Sequence, residues 1–99
     1  MRTQEFVVTV AAQCEGWGAA HEEQVFRAFQ HVHPGTSVAA GGVALSFRVQ
    51  ASDATKACAY IERRLGDVAA LRGWRTFRVH ECSATPLRAT LKETDAFSE

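Results

Sequence analysis

The segment from Val43 to Ala51 constrains the fold most, because apolar and polar side chains alternate along nearly all of its length. A period of two residues is that of a β-strand with one buried face, whereas a helix would scatter these side chains around its axis. The apolar positions are Val43, Leu45, Phe47, Val49 and Ala51. This strand is therefore expected in a sheet that is covered on one side only.

Two further strands are expected upstream of this one. Gly41-Gly42 supplies the positive φ angles of a tight hairpin turn, so residues 36–40 are predicted to form the other arm. The stretch from Phe6 to Ala12 is rich in β-branched residues and is apolar at both odd and even positions. Apolar residues on both faces are typical of a central strand. A last strand is placed at Trp74 to Cys82.

Two segments carry the spacing of amphipathic helices. The first starts at Ala19 and stops at His33-Pro34, because the residue before a proline is pushed out of the α region. Its apolar stripe is Val25, Phe26, Phe29 and Val32. The second follows a cap at Ser52 or Asp53, and Gly66 either ends it or is absorbed in it. Its stripe is Ala54, Ala57, Cys58, Ile61 and Leu65.

The resulting order β-α-β-β-α-β predicts an α+β ferredoxin-like sandwich. Its four-stranded antiparallel sheet would have the strand order 4-1-3-2, with both helices on one face. Residues 1–83 are assigned to a single domain. Residues 84–99 are assigned to a C-terminal tail that is flexible or packs on the sheet or on a partner.

Composition excludes several classes of protein. The 99 residues carry eleven basic and eleven acidic side chains, which argues against a polybasic nucleic-acid tail, a membrane arm or an acidic disordered segment. No apolar run approaches the roughly 20 residues that span a bilayer, and the chain is expected in the cytoplasm. Three cysteines without C-x-x-C spacing suggest neither a disulfide framework nor a zinc ribbon. No cofactor or metal is predicted.

The charges are unevenly distributed along this neutral chain. Residues 48 to 78 hold seven basic and three acidic groups, and the segments on either side are acidic. A basic patch is predicted near the end of the second helix and the start of the last strand, formed by Arg63, Arg64, Arg72 and Arg75. Cations at a helix C-terminus can be explained by the helix dipole, and a partner-binding role is the alternative.

Two tryptophans form the candidate ligand site. The topology brings the glycine-flanked Trp17 and Trp74 to the same end of the sheet, where they could line a small apolar pocket. The alternative is that both side chains close the end of the core, since tryptophan is usually largely buried.

His31-Val32-His33-Pro34 before a hairpin resembles the His-His-Pro motif of pterin-4a-carbinolamine dehydratases over about fifteen residues. Val32 interrupts the paired histidines, and the segment from Gln50 to Asp53 lacks the further histidine of that family. No catalytic residue is carried over from the resemblance.

The exposed sheet face favours a protein partner. Its predicted members are Val7, Thr9, Ala11, Ala44, Ser46, Arg48, Gln50, Thr76, Arg78 and His80. The absence of aromatic side chains there argues against the base stacking of RNA-recognition sheets, so nucleic acid is not an expected partner.

The leading hypothesis is a non-catalytic interaction or regulatory module, homodimeric through its sheet face, edge strand or tail, with Arg48, Arg78 and His80 at the interface. Alternatives are a ligand sensor at Trp17 and Trp74, a small dimeric α+β-barrel enzyme using His80 and Arg78, and a small phage or plasmid inhibitor of a host protein.

Overall fold

A computed structural model describes residues 3–39 and 42–87 of the chain. Its strands are β1 (Gln4–Gln13), β2 (Gly35–Ala39), β3 (Gly42–Ala51) and β4 (Arg78–Pro86). Its helices are α1 (Ala19–Ala28), which a 3₁₀ turn follows at Gln30–Val32, and α2 (Ala54–Arg72). Two predicted features lie partly outside the described residues: the hairpin turn, at Ala40 and Gly41, and the tail, from residue 88 onward.

The four strands form one antiparallel sheet in the order β2-β3-β1-β4. Counted from the opposite edge, this order reads 4-1-3-2. β1 lies between β3 and β4, which confirms the central position that its two-sided apolar pattern predicts. The α+β class, with four antiparallel strands and two helices, is confirmed as well.

The core lies between one face of the sheet and the two helices. Alternate residues of β1 and β3 supply the sheet side, and Val25 and Phe29 face them from α1 and the residue after it. The rings of Phe29 and Phe47 pack with centroids 4.7 Å apart. The fully buried members of the cluster include Val8, Val10, Leu45, Ile61 and Leu65. Each such side chain contributes about 1.5–3 kcal/mol through burial, so this cluster holds the helices on the sheet.

The ends of α2 are fixed by local chemistry. Asp53 is the N-cap, because its Oδ1 accepts a hydrogen bond from the Lys56 backbone N–H at 2.8 Å. Gly66 lies inside the helix, and Gly73 ends it with a left-handed φ of 71°. The Trp74 N–H then donates to the Ala69 carbonyl at 2.8 Å, which completes the C-terminal cap.

The first helix is shorter than its pattern predicts. α1 ends at Ala28 and continues as the 3₁₀ turn, and His33 adopts a left-handed conformation with φ 49°. Phe26 is 39% exposed, although its spacing places it on the apolar stripe. No helix within residues 3–39 and 42–87 is long and apolar enough to cross a membrane.

The last strand differs from its predicted position at Trp74 to Cys82. Residues 74–77 form a turn in which the Phe77 N–H donates to the Trp74 carbonyl, and β4 starts at Arg78. A β-bulge at His80 shifts the register, so Cys82 and Ala84 face the core. β4 also runs past residue 83, so residues 84–86 belong to the sheet and not to a tail.

Candidate functional site

The sheet surface opposite the helices is the first candidate site, and we call it the open face. It consists of the residues between the buried positions of each strand: Glu5, Val7, Thr9 and Ala11 of β1, Ala44, Ser46, Arg48 and Gln50 of β3, and Arg78, Glu81, Ser83 and Thr85 of β4. None of the helices and strands in the described part of the chain covers it. Its side chains are small or polar, with no aromatic ring.

Several residues predicted for this face take other positions. Thr76 lies in the turn before β4, where its Oγ1 accepts a hydrogen bond from the Glu15 N–H at 2.9 Å. His80 is the extra residue of the β-bulge and is exposed. The alternation of residue types could not predict the positions of Thr76 and His80, because neither a turn nor a bulge changes that alternation.

The predicted interface residues are also spread along the sheet. Arg48 pairs in register with Val7, and Arg78 pairs with Gln13, six residues further along β1. That separation is about 20 Å at the rise of an antiparallel strand. Arg48 and Arg78 therefore mark opposite ends of the open face. His80 lies near the Arg78 end, so Arg48 is separated from the other two predicted interface residues.

An aromatic cluster closes the end of the sheet where β1 leads into α1. The Trp17 and Trp74 rings meet edge to face, with centroids 5.6 Å apart. His21 stacks on Trp17 at 5.1 Å and lies 5.2 Å from Trp74, and Phe77 lies 5.9 Å from Trp74. Sequence periodicity gave no signal for His21, because Trp17 precedes the first residue of α1 and the two residues do not share a helix.

The cluster is held by local bonds and packs on the core. The Gly18 N–H donates to His21 Nδ1 at 3.2 Å, which orients the imidazole at the start of α1. Trp17, Trp74 and Phe77 pack against the buried cluster, and Trp17 Nε1 is buried with no hydrogen-bond partner among the described residues. Rings in mutual contact favour the interpretation that both tryptophans close the core end. A ligand-binding role for Trp17 and Trp74 stays a prediction.

The four predicted basic residues do not form one compact patch. Arg63 and Arg72 are nine residues apart on α2, which is about 13 Å and half a rotation around the axis. Arg64 turns toward α1, where it donates to the Ala28 carbonyl at 3.5 Å, and its guanidinium carbon lies 6.0 Å from the Tyr60 ring centre. Arg75 follows the helix end. Partner binding by a compact patch is not favoured by this arrangement.

A cavity of about 460 Å³ lies where β3 extends beyond β2, and we call it the β3 notch. His31 Nε2 and Tyr60 Oη form a hydrogen bond of 2.8 Å at this site. Arg48 Nε lies 3.1 Å from Glu5 Oε1. The lining residues are Glu5, His31, Val32, His33, Arg48, Val49, Gln50 and Tyr60. Among the described residues, no group of three or more His, Cys, Asp or Glu side chains could hold a metal ion.

The three thiols do not assemble into one site. Cys58 and Cys82 line a cavity of about 390 Å³ together with Glu62, whereas Cys14 lies 3.7 Å from Thr76 Oγ1 at the aromatic end. Burial raises the pKa of the Cys82 thiol, and the neighbouring Cys58 and Glu62 raise it further. A thiol held in its neutral form is a poor nucleophile, so Cys82 is not suited to covalent catalysis.

No protein-family model, curated protein or solved structure matches this chain. Its function is therefore inferred from the geometry of the described residues.

Proposed function

We propose that this protein is a non-catalytic interaction module that forms a homodimer by packing the open faces of two copies together. The fold is then a ferredoxin-like βαββαβ sandwich of one sheet and two helices, and a partner's sheet covers its open face. The observation that carries the proposal is the uncovered open face. Small side chains occupy its centre, so no large side chain would hold a second sheet away.

Small side chains suit close packing of two sheets. Val7 and Ala44 are half-buried within the protein, and Thr9 and Ala11 beside them are exposed. Stacked sheets lie about 10 Å apart, a spacing that side chains of this size can fill. Three strands about 4.8 Å apart and up to ten residues long give the open face roughly 500 Å² per copy. A standard specific interface buries about 800 Å² per partner. We therefore expect a dimer of moderate affinity.

The charges on the open face are compatible with self-association. One end carries the Glu5–Arg48 ion pair, and the other end carries Arg78 and Glu81. Each end thus holds one acid and one base, so two copies related by a twofold axis meet without net repulsion. Attraction between exposed charges is screened by salt, so added salt should weaken the dimer.

The location and partners follow from the same proposal. The principal partner is a second copy of this chain, and we place the protein in the cytoplasm. Cys14, Cys58 and Cys82 are all free thiols, which supports a reducing compartment.

A matched pair of arginine substitutions tests the dimer. Thr9→Arg places a long charged side chain at the centre of the open face, and Thr55→Arg makes the same change on the exposed first turn of α2. Sedimentation velocity at micromolar concentration should show a dimer for wild type and Thr55→Arg, and a monomer for Thr9→Arg. Far-UV circular dichroism checks that each variant is folded. A monomeric wild type, or an equal effect of both substitutions, would overturn the proposal.

A further inference from the structure

The outer edge of β3 has an unpaired segment. The pairing of β2 with β3 starts at Gly35, opposite Ser46, whereas β3 continues to Ala51. Residues 47–51 therefore pair with β1 on one side and with no described strand on the other. Five residues of strand span about 17 Å. The N–H and C=O groups along such an edge can pair with another extended chain.

The β3 notch lies along this edge and not over one face of the sheet. Three consecutive residues, Arg48, Val49 and Gln50, line it. Consecutive residues of a strand point to opposite faces, so a cavity that contacts all three must follow the strand's side. Val49 is buried and supplies an apolar floor, while Arg48 and Gln50 are exposed.

The chain before β2 keeps the notch open. His33 has φ 49° and ψ 65°, a left-handed conformation that is uncommon for a residue other than glycine. Left-handed backbone cannot continue a strand, and Pro34 has no N–H to donate to β3. Strained backbone of this kind is found preferentially at ligand sites. The left-handed backbone of His33 turns the chain away from β3, at the point where a longer β2 would otherwise pair with residues 47–51.

The charge around the notch favours an acidic occupant. The ion pair joins Glu5 Oε1 to Arg48 Nε, and a guanidinium has five N–H donors in all. Arg64 lies over the Tyr60 ring, which also lines the notch. With two arginines and one carboxylate, this region has a positive formal charge.

We propose that the β3 notch binds an extended acidic peptide segment of another protein, which adds as a short strand to the open edge of β3. Backbone hydrogen bonds to residues 47–51 would supply affinity, and a carboxylate near Arg48 would supply preference. This site goes beyond the proposed dimer, because it uses the outer edge of β3 and not the centre of the open face.

Three pentapeptides test the proposal on the full-length protein. The first is N-acetyl-Thr-Val-Glu-Val-Thr-amide, the second replaces Glu by Gln, and the third carries N-methyl groups on alternate backbone nitrogens. Titration into ¹⁵N-labelled protein should give saturable shifts for the amides of residues 47–51. Loss of the carboxylate should weaken binding about threefold to tenfold, as for a charge-assisted hydrogen bond. N-methylation on the edge that faces β3 should abolish binding.

Two arginine variants add a matched test. Arg48→Gln should remove the preference for Glu over Gln, and Arg78→Gln, at the opposite end of the open face, should leave it unchanged. The peptide comparison tests the same points without altering the protein, should Arg48→Gln fail to fold. Absence of saturable shifts at residues 47–51, or equal binding of the N-methylated peptide, would overturn the proposal. A failed dimer test on Thr9→Arg would leave this peptide result unaffected.

Discussion

Two glycine-to-alanine substitutions in and after α2 should have opposite effects on stability. Gly66 lies within the helix, and a Cβ added there would meet no atom within 4 Å. Glycine is about 0.8–1.0 kcal/mol less favourable than alanine inside a helix, so Gly66→Ala should stabilise the protein by about that amount. No neighbouring atom would clash with the added methyl group and offset this stabilisation.

Gly73→Ala should destabilise the protein, although it is the same chemical change. Gly73 also has open space around its Cβ position, but its φ is 71°. A left-handed conformation costs an L-residue about 1–2 kcal/mol, and the reduced entropy of the unfolded chain offsets only part of this. We expect a net loss of about 1 kcal/mol and therefore a difference of about 2 kcal/mol between the two variants.

Urea unfolding followed by circular dichroism at the helical band measures this difference directly. The slope with denaturant should be the same for wild type and both variants, so the midpoints alone report stability. Changes of the same sign in both variants would refute the assignment of Gly66 to the helix interior and of Gly73 to its end.

Three further predictions concern the N-cap, the core and the thiols. Asp53→Ala removes the acceptor for the Lys56 N–H and should cost about 1 kcal/mol in the same urea assay, whereas an unchanged midpoint would argue against the cap. Phe47→Ala should cost about 3–5 kcal/mol, and Phe26→Ala, at a side chain 39% exposed, should cost much less. Because burial raises the pKa of Cys82, its alkylation, followed by peptide mass spectrometry, should keep accelerating well above pH 9, and a plateau there would contradict the raised pKa. The unfolded thiol ionises from about pH 8.5, so this burial should also lower stability as pH rises above that value.

The regular elements could be predicted from the sequence where one pattern dominates. The alternation in Val43 to Ala51 and the two-sided apolar run of Phe6 to Ala12 placed β3 and β1 correctly, because burial on one or both faces determines residue type at every position. The stripe of α2 was equally clear, but the sequence left open whether Gly66 ends the helix. Only the left-handed φ of Gly73 decides that.

The errors occurred where the backbone departs from a regular period. The bulge at His80 adds one residue to β4, so His80 leaves the open face on which the alternation placed it, and Cys82 faces the core. The spacing of Phe26 places it on the apolar stripe of α1, but its side chain is 39% exposed. A single sequence records residue types, and not the strand register or the side of a helix that tertiary packing buries.

The candidate sites could be predicted only in part. Topology indicated that Trp17 and Trp74 would share one end of the sheet, and their rings lie in contact. The β3 notch could not be predicted, because it depends on where β2 stops pairing and on the backbone of His33. His31 and His33 entered the sequence analysis only through the resemblance to a His-His-Pro motif, and the contact of His31 with Tyr60 joins residues 29 positions apart.

The dimer through the open face is the central claim, and a half-filtered NOE experiment tests it most directly. A sample is prepared by mixing ¹³C-labelled and unlabelled protein, so that only contacts between copies give signals. Packing of the two open faces predicts cross-copy NOEs from the methyl groups of Val7, Thr9, Ala11 and Ala44. The absence of such NOEs at concentrations where sedimentation shows a dimer, or NOEs confined to the helices, would contradict the claim.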